Sequence, residues 1–369
     1  MTPHRLRLGA LAICVLGVIG CVVGALLVGW SAFAQAWLCS YVLWLGIPLA
    51  GVTLVLVHDL SGGEWMASAR PVLIAAAATM PVASLSGIPA FVDLHSLYSW
   101  THPPSGLANV FYLNPTAFYI RYGAYVVLWN LLAAFVVWGP RDGKHPISPG
   151  LSWISGIGLV TLALSTGFSA IDWILSLEPK FWSSIFPYVQ AASWFNTGMA
   201  LVVLVVAIAG WPADERREHM SDLSRILLAT TIFWAYVEFM QLLIIWEENL
   251  KTEIPWYLKR LDSVWDPAIY VSAGLGFVVP FFVLLWAPSK YNRAVVATIC
   301  ALILVSRVAN TWLLIMPEFS SPPFWLDWAA LVALGGALLL LFDYLFGFAL
   351  RAAGPVTSAR AQSWRVSHG

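Results

Sequence analysis

The sequence predicts an all-α membrane protein with ten transmembrane helices. Of the 369 residues, 60% are hydrophobic and only 10% are charged, and the mean hydropathy is +0.79. Soluble domains carry about 25% charged residues, so this composition is typical of a polytopic membrane protein. The 19 basic and 19 acidic residues give a formal net charge of zero, which leaves no basic surface for nucleic acid.

Ten apolar segments are each long enough to cross a bilayer, which takes about 20 helical residues. Pro, Gly and charged residues separate most of them. We predict spans at about residues 8–33, 37–59, 70–91, 117–139, 150–176, 187–211, 222–246, 267–287, 292–316 and 326–350. They make a single membrane domain over residues 1–350, followed by a short cytoplasmic tail at 351–369.

The first span raises the question of a cleaved signal peptide, because it ends near Ala32-Phe33-Ala34, a small-x-small pattern. A signal peptide has an apolar core of about 7–15 residues, whereas this run exceeds about twenty. We therefore predict a retained membrane anchor.

The basic residues set the predicted orientation. Thirteen lie on one side of the spans, namely Arg5, Arg7, Arg70, Arg141, Lys144, Arg216, Arg217, Arg225, Lys290, Arg293, Arg351, Arg360 and Arg365. Five lie on the other, namely Arg121, Lys180, Lys251, Lys259 and Arg260, and Arg307 inside span nine completes the nineteen. Because Lys and Arg accumulate on the cytoplasmic side, both termini are predicted to be cytoplasmic.

Several polar residues lie inside the outer halves of the spans, where each is costly and therefore points to a functional site. With a helical rise of about 1.5 Å per residue, Glu238 in span seven and Arg307 in span nine lie at matching depth, about 12 and 14 Å below the outer ends. This match predicts an ion pair. The predicted outer polar cluster, read as a proton path, comprises Asp172, Glu178, Glu238, Gln241, Arg307, Asn310 and Asn196.

Two stripes of polar residues accompany these charges. Ser165, Ser169, Asp172 and Ser176 share one face of span five, and Gln190, Ser193, Asn196 and Thr197 share one face of span six. Together they predict a hydrated cavity open toward the outer side. A second set at the cytoplasmic ends, His58, Asp59 and Asp343, suggests an inner half-channel.

A structural interpretation stays open beside the functional one. Polar residues in helix bundles also serve as interhelical hydrogen bonds worth about 0.6 kcal/mol each. The serines and threonines fit that role better, and a purely structural Glu238–Arg307 pair is as plausible as a functional one. Asp59 and Asp343 are near the interface and fit solvated helix caps.

Independent catalysis and cofactor binding have no support in the motifs. The seven histidines lie at span ends, in loops or in tails, where they do not fit as axial ligands of a membrane haem. The four cysteines form no Cys-x-x-Cys pair, so iron–sulfur and zinc ligation are not expected. No P-loop, Ser/His/Asp set or His-x-x-x-His pattern is present, and no metal ligands are predicted.

An ordered series of short strings resembles a known family. His58-Asp59-Leu60-Ser61-Gly62-Gly63-Glu64-Trp65 resembles a join in the NrfD/PsrC-like membrane subunits. The further strings are Tyr112-Leu113-Asn114, Ile171-Asp172-Trp173, Ser176-Leu177-Glu178-Pro179, Phe233-Trp234-Ala235-Tyr236, Gln241 through Trp246, Glu253-Ile254-Pro255-Trp256-Tyr257, Pro280-Phe281 and Pro317-Glu318-Phe319. Over residues of about 40–330 the set looks like the ActF-type subunit of alternative complex III, a quinol:electron-acceptor oxidoreductase.

The resemblance implies a fold and a setting. The fold would contain two four-helix bundles flanked by peripheral helices, in a bacterial cytoplasmic membrane. The partners would be a sister NrfD-like subunit, an iron–sulfur subunit and multihaem cytochrome c subunits, which hold the clusters and haems. The sister subunit is the better candidate for the quinol pocket, and His95, Tyr98 and His102 form a candidate quinol-side loop here.

Three functional hypotheses follow. The leading one is a non-haem integral subunit with proton half-channels, which is part of an oxidoreductase rather than a catalyst on its own. The second is a stand-alone secondary transporter, which the lack of a clear internal repeat weakens. The third is a purely architectural subunit without proton conduction.

Overall fold

The computed structural model describes residues 3–63, 65–66, 69–102, 109–139, 150–209, 216–261, 263–319 and 324–352. Within these ranges the regular structure is helical and contains no strand, and ten helical segments are long and apolar enough to cross a membrane. The predicted all-α fold with ten spans is therefore confirmed. Most of the tail at 351–369 lies outside the described residues.

The α-helices of the described ranges are numbered in chain order. They are α1 (Pro3–Leu27), α2 (Trp30–Ser61), α3 (Arg70–Ala78), α4 (Met80–Leu85), α5 (Ile88–Phe91), α6 (Pro115–Trp138), α7 (Ser152–Trp173), α8 (Phe186–Ala209), α9 (Arg216–Glu248), α10 (Ile254–Leu261), α11 (Asp266–Ala273), α12 (Val279–Leu285), α13 (Arg293–Ile315) and α14 (Phe324–Ala352). The third span consists of α3 to α5, and the eighth of α11 and α12 with a π-helical turn between them.

The join between the first two spans lies earlier than the apolar pattern predicts. Helix α1 ends at Leu27 and α2 starts at Trp30, because Gly29 adopts φ 116° and reverses the chain. That backbone region favours glycine. The continuous apolar run across the turn hides it from a hydropathy pattern.

The third span is interrupted where prolines remove backbone donors. Pro81 and Pro89 each occupy a first-turn position of the helix that follows the break. The hydroxyls of Thr79 and Ser86 donate to the carbonyls of Ala76 and Ala83, each at 2.7 Å. These bonds use two carbonyls at the break, as a membrane interior requires.

Helix α2 is the most deeply buried span and packs against α3, α8 and α14. Helix α8 packs against α2, α7, α9 and α13, so it links the earlier spans to the later ones. Helices α1 and α14 pack antiparallel against each other, and Gly17, Gly20 and Gly24 let them approach closely.

The antiparallel α1–α14 pair brings the start of α1 and the end of α14 to the same side of the protein. Arg7 Nε lies 2.7 Å from Asp343 Oδ2 there. We call this side the terminal face. The opposite side, which carries residues 92–102 and 109–114 and α10, is called the loop face.

Candidate functional site

A stripe of polar and aromatic residues runs along α9 through the half of the protein nearer the loop face. Its members are Thr230, Thr231, Trp234, Glu238 and Gln241, whose spacing of three or four residues keeps them on one side of the helix. They extend over about 16 Å of helix. We call them the α9 stripe, and they contact α8, α10 and α13.

Glu238 is the acid at the centre of the α9 stripe. Asn310 on α13 donates from Nδ2 to Glu238 Oε1 at 2.9 Å, and Ser193 on α8 lies 3.4 Å from Asn310 Oδ1. Hydrogen bonds thus connect α8 to α13 through Ser193 and Asn310, and α13 to α9 through Asn310 and Glu238. Glu238 is only half-buried, whereas Asn310 and Ser193 are buried.

Arg307 lies next to this acid and is completely buried. Its Nε and Nη2 each lie 3.2 Å from Ser306 Oγ, and its guanidinium carbon is 3.4 Å from the centroid of the Trp234 ring. Within the described residues, Arg307 Nη1 and Trp234 Nε1 have no hydrogen-bond partner. The guanidinium is therefore held by the Ser306 hydroxyl and by a cation–π contact with Trp234.

The π-helical turn Gly274–Val278 makes room for this guanidinium. A methyl group on Gly276 would collide with Arg307 Nη2 and with Ser306. The turn precedes Pro280, which cannot donate a backbone hydrogen bond. Local π-helical turns are frequent at functional sites.

The predicted direct pair of Glu238 with Arg307 is not formed among the described residues. Asn310 contacts Glu238, and Arg307 contacts Trp234 one turn further from the loop face. Glu238 still acts on Arg307 electrostatically across that turn. Matching depth placed both residues correctly along the helix axes, but it could not give their rotation about those axes.

The other predicted residues of this cluster extend it in both directions. Toward the loop face, buried Gln241 donates to the Tyr257 hydroxyl at 3.2 Å and accepts from Ser183 at 3.3 Å. Toward the terminal face, Asn196 Nδ2 lies 3.2 and 3.1 Å from the hydroxyls of Thr230 and Thr231. The α9 stripe is therefore lined by partners over its whole length.

Asp172 belongs to a separate cluster between α6 and α7. Arg121 Nε lies 2.9 and 3.1 Å from its two carboxylate oxygens, and the Tyr125 hydroxyl donates to it at 2.7 Å. Arg121 also donates to the Tyr112 carbonyl at 3.1 Å and lies over the Tyr112 ring. Burial and the charge of Asp172 raise the pKa of Tyr112, which keeps its phenol protonated.

The sequence argument missed this ion pair because it assigned Arg121 only to the outer row of basic residues. The two residues are 51 positions apart, but Arg121 lies in the second turn of one span and Asp172 in the last turn of the next. Consecutive antiparallel spans bring such positions together. That signal could have predicted the pair.

The serines of the span-five stripe, Ser165, Ser169 and Ser176, are hydrogen-bonded, and of these three Ser176 also lines a cavity. Ser165 accepts from Trp129 Nε1 at 2.9 Å, and Ser169 and Ser176 donate to carbonyls of their own chain segment. A cavity of about 310 Å³ lies beside them and is lined mainly by apolar side chains. Its lining includes Tyr112, Phe168, Ile171, Leu175, Phe181 and Trp182.

Glu178 takes part in an ion-pair network on the loop face. Lys259 Nζ lies 2.7 Å from Glu178 and 2.8 Å from Glu318, and Arg260 Nη2 lies 3.0 Å from Glu318. Arg260 also donates to the carbonyls of Trp256, Leu313 and Leu314. Burial lowers the pKa of Arg260 to about 10, which still leaves it charged at neutral pH.

The predicted inner set lies near the terminal face but is spread out. His58 Nε2 is 2.9 Å from the Gly63 carbonyl, and Asp59 accepts from the Ser155 hydroxyl at 2.8 Å. Asp343 pairs with Arg7 at an exposed position. The structure therefore does not bring Asp343 together with the buried pair of His58 and Asp59.

Of the three residues predicted for the quinol-side loop, one has a buried side chain and two have exposed side chains. Tyr98 is buried and donates to the Trp173 carbonyl at 3.1 Å, beside Asp172. His95 and His102 are exposed, and their ring centroids are 4.7 Å apart.

Sequence reasoning also missed Asp327, which is completely buried in the first turn of α14. Within the described residues neither of its carboxyl oxygens has a hydrogen-bond partner. It lies near a predicted span end, and only the packing around it reveals the burial.

Comparisons with known proteins add no family to these observations: no family model and no curated protein matches the chain significantly.

Proposed function

We propose that this integral membrane protein is a non-haem subunit of a quinol-oxidising respiratory complex of the alternative complex III type, in a bacterial cytoplasmic membrane. Its proposed partners are a sister NrfD-like subunit, an iron–sulfur protein and multihaem cytochrome c subunits. The ordered strings over residues of about 40–330 support this family. The ten helical spans found among the described residues agree in number with the ten helices that the family implies.

Within that complex, the part of the α9 stripe nearer the loop face, Gln241 and Glu238, serves as a proton half-channel that opens at the loop face and ends at Glu238. The observation that carries this role is the bonding of Glu238. Its carboxylate accepts from an amide and has no direct salt bridge within the described residues, and the side chain is half-buried. Such an acid can gain and lose a proton without breaking an ion pair.

The neighbours of Glu238 have complementary roles in this proposal. Arg307 offsets the negative charge across one turn, and Asn310 orients the carboxylate. One turn nearer the loop face, Gln241 donates to the Tyr257 hydroxyl, and these two side chains carry the proposed path onward. Burial raises the pKa of Tyr257, so the phenol relays a proton without remaining ionised.

Purification of the tagged protein from its native membrane tests the setting. We expect iron–sulfur and multihaem cytochrome subunits to co-purify with it. Recovery of a homogeneous single subunit that catalyses solute uptake in proteoliposomes would instead favour the transporter hypothesis.

Glu238→Gln tests the proton path in the purified complex. We expect normal assembly and a lower ratio of protons moved per electron. Glu247→Gln is the matched control, since it removes an exposed carboxylate from the same helix. An unchanged ratio in a fully assembled Glu238→Gln complex would assign Glu238 a purely architectural role.

A further inference from the structure

The loop between the third and fourth spans holds two imidazoles side by side on a firmly anchored backbone. Residues Leu94–Ser96 and Ser99–Thr101 form two short 3₁₀ turns, and Leu94, Leu97, Tyr98 and Trp100 are buried beneath them. The Tyr98 hydroxyl donates to the Trp173 carbonyl, and Ser31 donates to the Ser96 carbonyl at 3.2 Å. The backbone that carries the exposed rings of His95 and His102 is therefore held in place by buried side chains and hydrogen bonds.

Hydrogen bonding in this loop determines which nitrogen of His102 is available. The single hydroxyl proton of Thr101 goes to the Tyr98 carbonyl at 2.7 Å. The Thr101 Oγ1 to His102 Nδ1 contact at 3.4 Å therefore requires Nδ1 to donate. His102 Nε2 is then unprotonated, and its lone pair is available to a metal. In many metal sites a polar neighbour fixes the tautomer of the ligating histidine in this way.

The ring separation fits two imidazoles on one ion. With metal–nitrogen distances of about 2.0–2.1 Å and ligand angles of about 90–110°, the two centroids are about 4.5–5.2 Å apart. The observed separation is 4.7 Å with a tilt of 50° between the planes. The centroid separation therefore matches that of two imidazoles on one ion.

We propose that His95 and His102 form a two-imidazole site for a divalent first-row transition ion of the Cu²⁺, Ni²⁺ or Zn²⁺ class. Imidazole prefers these ions over Mg²⁺ and Ca²⁺. In the described part of the chain, no group of three or more His, Cys, Asp or Glu could hold a metal, so water completes the coordination. The site is open and exchangeable, and it does not depend on the proposed respiratory role.

The test uses the full-length protein, purified in detergent through a tag without histidines and titrated with Cu²⁺. We expect one tightly bound ion per chain, whose electron paramagnetic resonance spectrum shows two imidazole nitrogens. A large excess of Zn²⁺ displaces it, and the same excess of Mg²⁺ does not. Loss of either ligand, in His95→Asn or His102→Asn, weakens binding by at least about tenfold.

Two further variants separate a built site from chance binding. Thr101→Val keeps both imidazoles but frees the His102 tautomer, so we expect about tenfold weaker binding with two nitrogens still bound. His368→Asn removes an imidazole elsewhere in the chain and should change nothing. A signal from a single imidazole, or unchanged affinity in His95→Asn or His102→Asn, would overturn the proposal. Wild-type affinity in Thr101→Val would overturn the assigned hydrogen bonding.

Discussion

Replacing Arg121 with Gln strands a buried carboxylate. Asp172 is 1% exposed, and its oxygens accept only from Arg121 Nε and from the Tyr125 hydroxyl among the described side chains. After the substitution, the 2.7 Å bond from Tyr125 is the remaining side-chain bond. Removing one partner of a buried ion pair costs about 3–5 kcal/mol, and we expect Arg121→Gln to lower the free energy of unfolding by that amount.

Asp172→Asn should cost less, because the group it strands is less buried. The Arg121 side chain is 20% exposed and keeps its bond to the Tyr112 carbonyl. We expect a loss of about 1–3 kcal/mol. The double variant should be more stable than the sum of the two losses predicts, because neither charge is then left alone.

The assay is unfolding of the purified protein in mixed micelles by titration with sodium dodecyl sulfate. Lys180→Gln is the control, since it removes an exposed positive charge and should stay within about 0.5 kcal/mol of the wild type. If Arg121→Gln costs no more than this control, or if the two losses simply add, the ion pair does not stabilise the fold as described here.

The remaining predictions use the same titration. Gly276→Ala should cost about 1–3 kcal/mol through its collision with Arg307, whereas Gly274→Ala in the same turn meets open space and should not; equal losses would contradict the packing argument. Glu318→Gln strands buried Arg260 and should cost about 3–5 kcal/mol, well above the loss in partly exposed Glu178→Gln, and the reverse order would refute this ranking. Asp327→Asn should raise the free energy of unfolding by about 1 kcal/mol, because a neutral amide costs less to bury than a carboxylate without a partner; a fall would mean that the carboxyl has one.

The clusters show how far sequence reasoning extends into the site. Depth along a span follows from residue number, so Glu238, Arg307 and Asn310 were correctly expected within the same part of the protein. The sequence did not predict which of these residues contact each other. That depends also on how each helix is rotated about its axis and on which side chains lie between the helices. Trp234 occupies the space at the Arg307 guanidinium, and no pattern of charges predicts that.

The sequence also did not predict which acidic residues Lys259 and Arg260, in the last turn of α10, would contact. Lys259 and Arg260 enter a sequence argument as two positive charges that set orientation. In the structure they join Glu178 and Glu318, which lie 81 and 59 positions from Lys259. Pairing over such distances depends on where α10 rests on the ends of other spans.

The membrane class of this protein and its ten spans follow from the amino-acid sequence alone. Those features depend on local composition, because a bilayer requires long apolar helices with satisfied backbone groups. Three contacts became known only from the packing of the helices and loops. Asn310 contacts Glu238, Arg121 pairs with Asp172, and the His95 ring lies beside the His102 ring. Each of these contacts joins separate elements of the chain, and their geometry is set by packing that no single segment encodes.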